Sequence, residues 1–480
     1  MAHQILSRTG QIGRVSNTLI SHDNGDTVVK KWILDNMPVW VQNLAISLYN
    51  SWLYKKRRGG MYSDYRAYFQ KFELATDGEV VIEKKRRLAA LLAHAVQRSE
   101  YYRKIGETVL QDYPVLEKEK LLTRLSEIST ILENEAEVSL TGGTTGASMK
   151  VFFTPEDIQE RNAMLDHFRA KYGYKLGKRA AWFSGKDLAR PQDLEKGICY
   201  RDDWINHIRF FSTFHITDYY FTAYWQAFTQ FAPEYLVGFP SSVYDICMMA
   251  KDRGLTFKGV VKAFFPTAET VLPQHREVIG EVLGCPLIDQ YASSEGAPFI
   301  LECEKGRLHI HPLTGIFEVV DEYLQPAQEG EILVTSFSTR GTPLIRYRIG
   351  DRIRLAREDE HCACGSHFPL VDYIDGRSSD FIWSPENGKV NLGNISNCTK
   401  GAPGIICFQI VQQEENIVEV KLVKGREFTQ QDGESFLRAL EARLGKAMVI
   451  HIEYVDEIAR EKSGKFRIVK NLIAKPQVFV

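Results

Sequence analysis

The chain has 480 residues, 44% of them hydrophobic and 25% charged, a composition that excludes a disordered or fibrous protein and leaves room for about two to four domains. Its 60 Lys and Arg face 61 Asp and Glu, for a net charge of -1, so no global basic field holds nucleic acid and an anionic ligand must be gripped locally. Eight Cys, scattered singly apart from Cys362 and Cys364, do not form a disulfide framework; with no apolar leader over residues 1–25 and no long uncharged apolar run, the expectation is a cytoplasmic protein.

In chain order, Val41, Leu44, Ala45, Leu48 and Trp52 recur at helical spacing between Gln42, Ser47 and Asn50, and the run ends in Lys55, Lys56, Arg57 and Arg58. Two readings stand: an amphipathic helix packed on the large domain with its terminal charges solvated, or peripheral contact with an anionic membrane surface. Helical periodicity continues over Glu83–Val96, and Glu137–Leu140 reads as a short strand. The loop Thr141–Lys150 follows, with three glycines and four hydroxyl residues, and leads into the β-prone Val151, Phe152 and Phe153. Such a loop bends backbone N–H groups around phosphate oxygens, although the P-loop pattern does not fit it and a plain surface turn is the alternative.

The middle of the chain alternates helical patterns with apolar strands at Tyr235–Val237, Ala263–Phe265 and Pro286–Ile288. That alternation predicts an α/β architecture with ligand loops at strand ends. Thr267, Ala268 and Glu269 follow the second strand, and Tyr291–Gly296 follows the third. The latter offers an aromatic face for a base, Ser294 for a phosphate and Glu295 for a hard cation such as Mg²⁺. Pro343–Asp351 reads as the end of a strand, with Asp351 placed to accept from both ribose hydroxyls. After Gly376–Asp380 a smaller unit begins: strands at Phe408–Val411, Ile417–Val423 and Val449–Tyr454, a helix around Phe436, Leu437, Leu440 and Leu444, and a closing Ser463, Gly464 and Lys465.

These residues resemble the adenylate-forming superfamily of acyl-CoA synthetases, luciferases and peptide-synthetase adenylation domains. Four signatures occur in that family's order: Thr141–Lys150 resembles its phosphate loop, Tyr291–Glu295 its Tyr-Gly-x-Thr-Glu motif, Tyr347–Asp351 its Tyr-Arg-Thr-Gly-Asp motif, and Ser463–Lys465 its terminal lysine loop. Within the superfamily the chain is most similar to the phenylacetate-CoA ligase-like group and its capsular-polysaccharide-biosynthesis branch, through Gly238–Ser241, Pro343–Asp351 and Asp456–Arg460. The likeness covers nearly the whole chain. It departs at Ser379, where relatives carry Asp or Lys, at Ala292, which replaces a Gly, and at Ser148, which replaces a Pro.

The resemblance implies a large N-terminal domain of mixed sheets and helices over residues 1–375, a hinge at 376–380, and a small mobile α+β domain over 381–480. It implies ATP-dependent activation of a carboxylic acid to an acyl-adenylate with release of pyrophosphate, then acyl transfer to CoA or to an amine; an enzyme that stops at the adenylate is a further alternative. Thr141, Gly142, Gly143, Thr144, Thr145, Gly146 and Lys150 would grip the β and γ phosphates. Tyr291 would lie on adenine, Ser294 near the α phosphate, Glu295 on Mg²⁺ and Asp351 on the ribose, with Ala268, Glu269 and Arg377 completing the nucleotide site. Lys465 would be catalytic, stabilising charge at the α phosphate and the attacking carboxylate. The acid pocket would be lined from Trp182–Asp187, Tyr235–Tyr244 and Phe264–Ala268.

Cys303, His309, Cys362 and Cys364 supply the ligand set of a closed structural Zn²⁺ site. Some relatives in the phenylacetate-ligase-like group look similar here. His311 or His361 would be substitutes for His309, and reduced, unligated thiols are the alternative.

Overall fold

The computed structural model describes residues 36–73, 75–106, 109–141, 149–184, 188–377, 381–392, 395, 398–399, 402, 404–461 and 466–473. Helices α1 (Val39–Arg57), α2 (Tyr62–Glu73), α3 (Asp77–Arg98) and α4 (Glu100–Ile105) come first. Thr76 starts α3 through a reciprocal cap: its hydroxyl accepts from the Glu79 amide while the Glu79 carboxylate accepts from the Thr76 amide. Short helices α5 (Lys118–Thr123) and α6 (Leu125–Ile128) lead to an antiparallel hairpin of β1 (Glu137–Thr141) and β2 (Met149–Phe153). Thr154 and Asp157 cap α7 (Pro155–Ala170) in the same reciprocal way, with Pro155 in the first turn, where its missing N–H costs nothing.

A five-stranded sheet follows, built from β3 (Ala180–Phe183), β4 (Tyr200–Asp203), β5 (Ile208–Phe211), β6 (Tyr235–Gly238) and β7 (Ala263–Pro266) in the order β4-β5-β3-β6-β7. β5, β3, β6 and β7 run parallel and β4 antiparallel. Helices α8 (Pro191–Leu194), α9 (Phe221–Phe231) and α10 (Pro240–Lys251) intervene, and α11 (Pro273–Leu283) follows β7. α10 is buried from Pro240 to Ala250, so it reads as a continuous run rather than a stripe. The strand expected at Pro286–Ile288 is a single parallel bridge from Leu287 to Phe264 at the sheet's edge.

The second sheet is antiparallel, ordered β11-β12-β13-β14-β10-β9-β8. Its strands are β8 (Gln290–Tyr291), β9 (Ile300–Glu302), β10 (Leu308–Ile310), β11 (Gly315–Val320), β12 (Glu329–Ser336), β13 (Tyr347–Leu355) and β14 (Leu370–Arg377). One expectation is corrected here. Pro343–Asp351 does not end a strand, because β13 starts at Tyr347 and carries Asp351 in its interior. Pro343 has no N–H for a ladder and Arg346 sits at φ 47°, which together keep the chain off the sheet until Tyr347.

Beyond Arg377 come the hairpin β15 (Phe381–Ser384) and β16 (Gly388–Asn391), then β17 (Ile405–Glu414), β18 (Ile417–Lys424), α12 (Gln430–Leu444), β19 (Val449–Val455) and β20 (Val469–Asn471). The last four strands form one sheet, β19-β18-β17-β20, whose core of Phe408, Ile410, Val420, Phe436 and Leu440 is distinct from the cores of the two larger sheets. The whole is the mixed α/β fold expected, with the smaller α+β unit at its C-terminal end.

α1 breaks its expected pattern. Gln42, Asn43, Ser47 and Asn50 are buried, whereas Trp40, Leu44, Leu48 and Trp52 face solvent. The reason lies in β4 and the turn after it. Arg201 donates to the Gln42 side chain, the Asp202 amide to Asn43 Oδ1 (3.1 Å), the Trp204 amide to Ser47 Oγ (2.9 Å), and Asn50 donates to Asp203 Oδ2 (2.9 Å). Those groups need partners once buried, and the polar face of α1 provides them.

Gly238, at φ 136°, closes β6 against β3: a Cβ there would sit 2.0 Å from the Phe183 carbonyl oxygen. Gly238→Ala is expected to cost roughly 3 kcal/mol, visible as a fall of several degrees in the thermal midpoint. A midpoint equal to that of the unaltered chain would show that the two strand ends can separate freely.

Candidate active site

The C-terminal ends of β3, β6 and β7 are knitted into one edge: the Phe239 amide donates to the Phe183 carbonyl (2.6 Å) and the Thr267 amide to the Gly238 carbonyl (2.8 Å). Ligands bind at this end of a parallel sheet because the loops there converge while helix N-termini point at them. In the loop after β7, Ala268 is held at φ 65°, a conformation that costs a residue with a Cβ about 1 kcal/mol. Its neighbour Glu269 accepts from the Ser241 amide (3.1 Å) and hydroxyl (3.0 Å), placing a carboxylate at the positive end of α10.

Gln290 ties this edge to the second sheet by donating to the Pro266 carbonyl (3.2 Å). The next residue, Tyr291, donates its hydroxyl to Asp351 Oδ2 at 2.7 Å, so residues 60 positions apart meet directly. Asp351 is in turn the cross-strand neighbour of Arg377 at the end of β14. Ser139 on β1 donates to the Ser294 carbonyl (2.8 Å), which sets the strand leading into the phosphate-loop candidate against the Tyr291–Gly296 loop. Glu295 is buried within that loop.

Arg161, from α7, fixes the far side of the same loop. Its guanidinium donates to the carbonyls of Gly296 (2.9 Å) and Ala297 (3.0 Å) and to Ser338 Oγ (3.1 Å). Burial pulls it down to about 10 against the opposing influence of Asp157 and Glu160, so it stays cationic at neutral pH. Gly296 is required at the contact: at φ 101°, a Cβ would lie 2.5 Å from Thr339 Cγ2 and 2.9 Å from the Phe153 ring. Sequence reasoning missed Arg161, since one arginine in a helix carries no signal.

The C-terminal unit reaches this edge through the chain on both sides of the lysine loop. Arg460 donates to Asp245 Oδ2 (2.6 Å) and Ser241 Oγ (3.0 Å), and the Phe466 amide donates to Glu269 Oε1 (2.9 Å). Burial pushes the Asp245 carboxyl up to about 6 even though Arg460 pulls it down. Lys465 itself, with Gly142, Gly143, Thr144, Thr145 and Gly146, lies outside the described residues. Thr141 ends β1, and Lys150, on β2, donates to Glu133 (2.6 Å) at the surface. The structure thus gathers Ala268, Glu269, Tyr291, Ser294, Glu295, Asp351 and the backbone of Arg377 onto connected loops and strands, while Lys150 is turned to a surface partner.

A separate cluster brings together Cys303, His309, Cys362 and Cys364, whose ligand atoms all lie within 4.8 Å of one another. Cys303 and Cys362 sulfurs are 3.6 Å apart, and Cys364 Sγ is 3.5 Å from His309 Nε2. Arms of about 2.3 Å to each thiolate give tetrahedral edges of about 3.8 Å, so the set fits a Zn²⁺ ion. His309 Nδ1 lies 3.1 Å from the Phe368 carbonyl, which leaves the Nε2 lone pair for the cluster. His311 packs instead between Phe69 and Phe368 and is pushed down to about 3 by burial.

Residues 382–472 match the family model described as the CapK C-terminal domain. The chain is 27% identical to Protein CapK of Staphylococcus aureus over 464 residues, covering 92% of this chain and 99% of that protein. Among solved structures it is similar to 2-hydroxyisobutyryl-CoA ligase in the postadenylation state with 2-HIB-AMP: TM-score 0.64, 18% identity, 80% of this chain and 88% of that one. The same ligase with 2-HIB-AMP and CoA in the thioesterification state gives a TM-score of 0.51 at 17% identity, over 83% and 91% of the two chains. The chain therefore shares the fold of 2-hydroxyisobutyryl-CoA ligase, and its C-terminal unit matches the CapK C-terminal domain.

Proposed function

We propose that the chain activates a carboxylic acid with ATP, forming an acyl-adenylate and pyrophosphate, and then passes the acyl group to CoA. The observation that carries this reading is the contact between Tyr291 and Asp351, which joins an aromatic face suited to adenine with a carboxylate suited to the ribose hydroxyls. Ser294 then falls on the side toward β1, where the α phosphate would lie, and Glu295 is the residue for Mg²⁺. The Thr141–Gly146 loop continues from β1 and would hold the departing pyrophosphate through backbone N–H groups.

The acid would enter at the ends of β3, β6 and β7. There the indole N–H of Trp182 is buried without a hydrogen-bond partner among the described residues, a donor that a polar group of the acid would satisfy. Lys465 would reach the α phosphate and carboxylate from the loop bracketed by Arg460 and Phe466. Transfer would follow when the C-terminal unit turns about residues 376–380 and withdraws Lys465.

Lys465→Ala should lower acid-dependent pyrophosphate release by about a hundredfold or more, with ATP affinity by calorimetry nearly unchanged. Equal rates in the variant and the unaltered chain would remove Lys465 from the mechanism. A panel of aryl, fatty and hydroxy acids, with CoA and with amines as acceptors, tests the acceptor: product formed only with an amine would replace CoA in this scheme.

We also propose a structural Zn²⁺ at Cys303, His309, Cys362 and Cys364. Metal analysis should find one zinc per chain, and chelation or Cys362→Ser should lower the thermal midpoint while adenylation per folded molecule persists. Less than stoichiometric zinc together with an unchanged midpoint would eliminate the site.

A further inference from the structure

Among the described residues, the outward face of α1 has no partner in the fold. Trp40, Leu44, Leu48 and Trp52 follow one another at four-residue steps and are 62%, 42%, 58% and 54% exposed, whereas an ordinary surface helix hides such a stripe. The helix cannot roll over to bury it. Its opposite face is held by Arg201, Asp203 and the amides of Asp202 and Trp204, and turning would strand those groups. The adjoining hairpin tip adds Trp204 and Ile205, also exposed, between a bond to Ser47 and a 3.5 Å approach of Asn206 to Ser51.

Charge and shape select the occupant. α1 contains no acidic residue, and exposed Lys55 stands three positions after Trp52 and seven after Leu48, on the same face as the stripe. Lys56, also exposed, pairs with Glu137 and lies over the Trp52 ring at 5.7 Å. A strip one helix wide, with a tryptophan near either end and lysines at its C-terminal end, suits the boundary between acyl chains and headgroups: indoles settle there, and a lysine stem lies along apolar surface while its ammonium meets phosphate. No described helix is long and apolar enough to cross a membrane, so the contact lies along the surface.

We propose that α1, with the Trp204–Ile205 tip, docks the protein on an anionic phospholipid surface. The test uses the full chain with sucrose-loaded vesicles of phosphatidylcholine, with and without phosphatidylglycerol, in a sedimentation assay. The expected result is binding about ten-fold tighter to the anionic vesicles, weakened by salt and lost by ten-fold or more in Leu44→Glu/Leu48→Glu. Lys55→Glu should retain weak binding and lose the preference for anionic lipid. Both variants change only exposed side chains, so thermal midpoint and pyrophosphate release should match the unaltered chain. Three results would each overturn the proposal: no sedimentation of the full chain, a dimer that Leu44→Glu/Leu48→Glu converts to monomer, or binding that appears only after residues 1–35 are removed. The second would make a second copy the occupant of the stripe, and the third would make it the chain's own N-terminal segment.

Discussion

A buried guanidinium organises this molecule. Arg161 is surrounded by protein, and its hydrogen bonds go to two backbone carbonyls and a serine on the loop that bears Tyr291, Ser294 and Glu295. A buried cation is tolerated only when its donors are satisfied and opposite charge is near. Here Asp157 and Glu160 come from the same helix and also pair with Arg340, while Glu160 pairs with Arg87. α7 thereby connects α3, the β12–β13 turn and the candidate nucleotide loop. Removing Arg161 would strand the carbonyls that fix the site's loop, and removing Arg340 would take the ion-pair partner from the buried Asp157.

Two sheets meet at the candidate site and contribute different things. The parallel sheet presents helix N-termini and a carboxylate, Glu269, at one edge. The antiparallel sheet holds Asp351 in the interior of a strand, paired with Arg377 of β14 on one side and set in a register shift against β12 on the other. The Gln290 side chain spans the gap between the two sheets by donating to the Pro266 carbonyl, and the next residue, Tyr291, bonds Asp351 within the antiparallel sheet. Positioning by strands is tighter than positioning by loops.

Much of this was legible in the sequence. The strands β6 and β7 were apparent from short apolar runs beside small-residue loops, and the four motifs identified most of the nucleotide-site candidates by order and residue type. The zinc-type cluster was legible from the cysteines and His309, with His311 and His361 as substitutes; His309, inside β10, turns its imidazole toward sulfur, while His311, just past the strand's end, packs among aromatic rings. The burial of α1 was not legible. Periodicity reports which residues share a face, but which face is buried depends on the surface it meets, and β4 offers arginine, aspartate and free amides rather than apolar side chains. Arg161 was invisible for a related reason, since its role exists only through backbone carbonyls more than a hundred positions away.

Glu269 accepts from Ser241 at the start of α10 and from the Phe466 amide beside the lysine loop. If the C-terminal unit leaves, the carboxylate keeps its helix partners and becomes neither unpaired nor stranded. The Phe466 amide, freed at the surface, can take water instead. At this contact, release would break a bond without creating an orphan, whereas the Arg460–Asp245 pair holds the same edge with a buried carboxylate that release would strand.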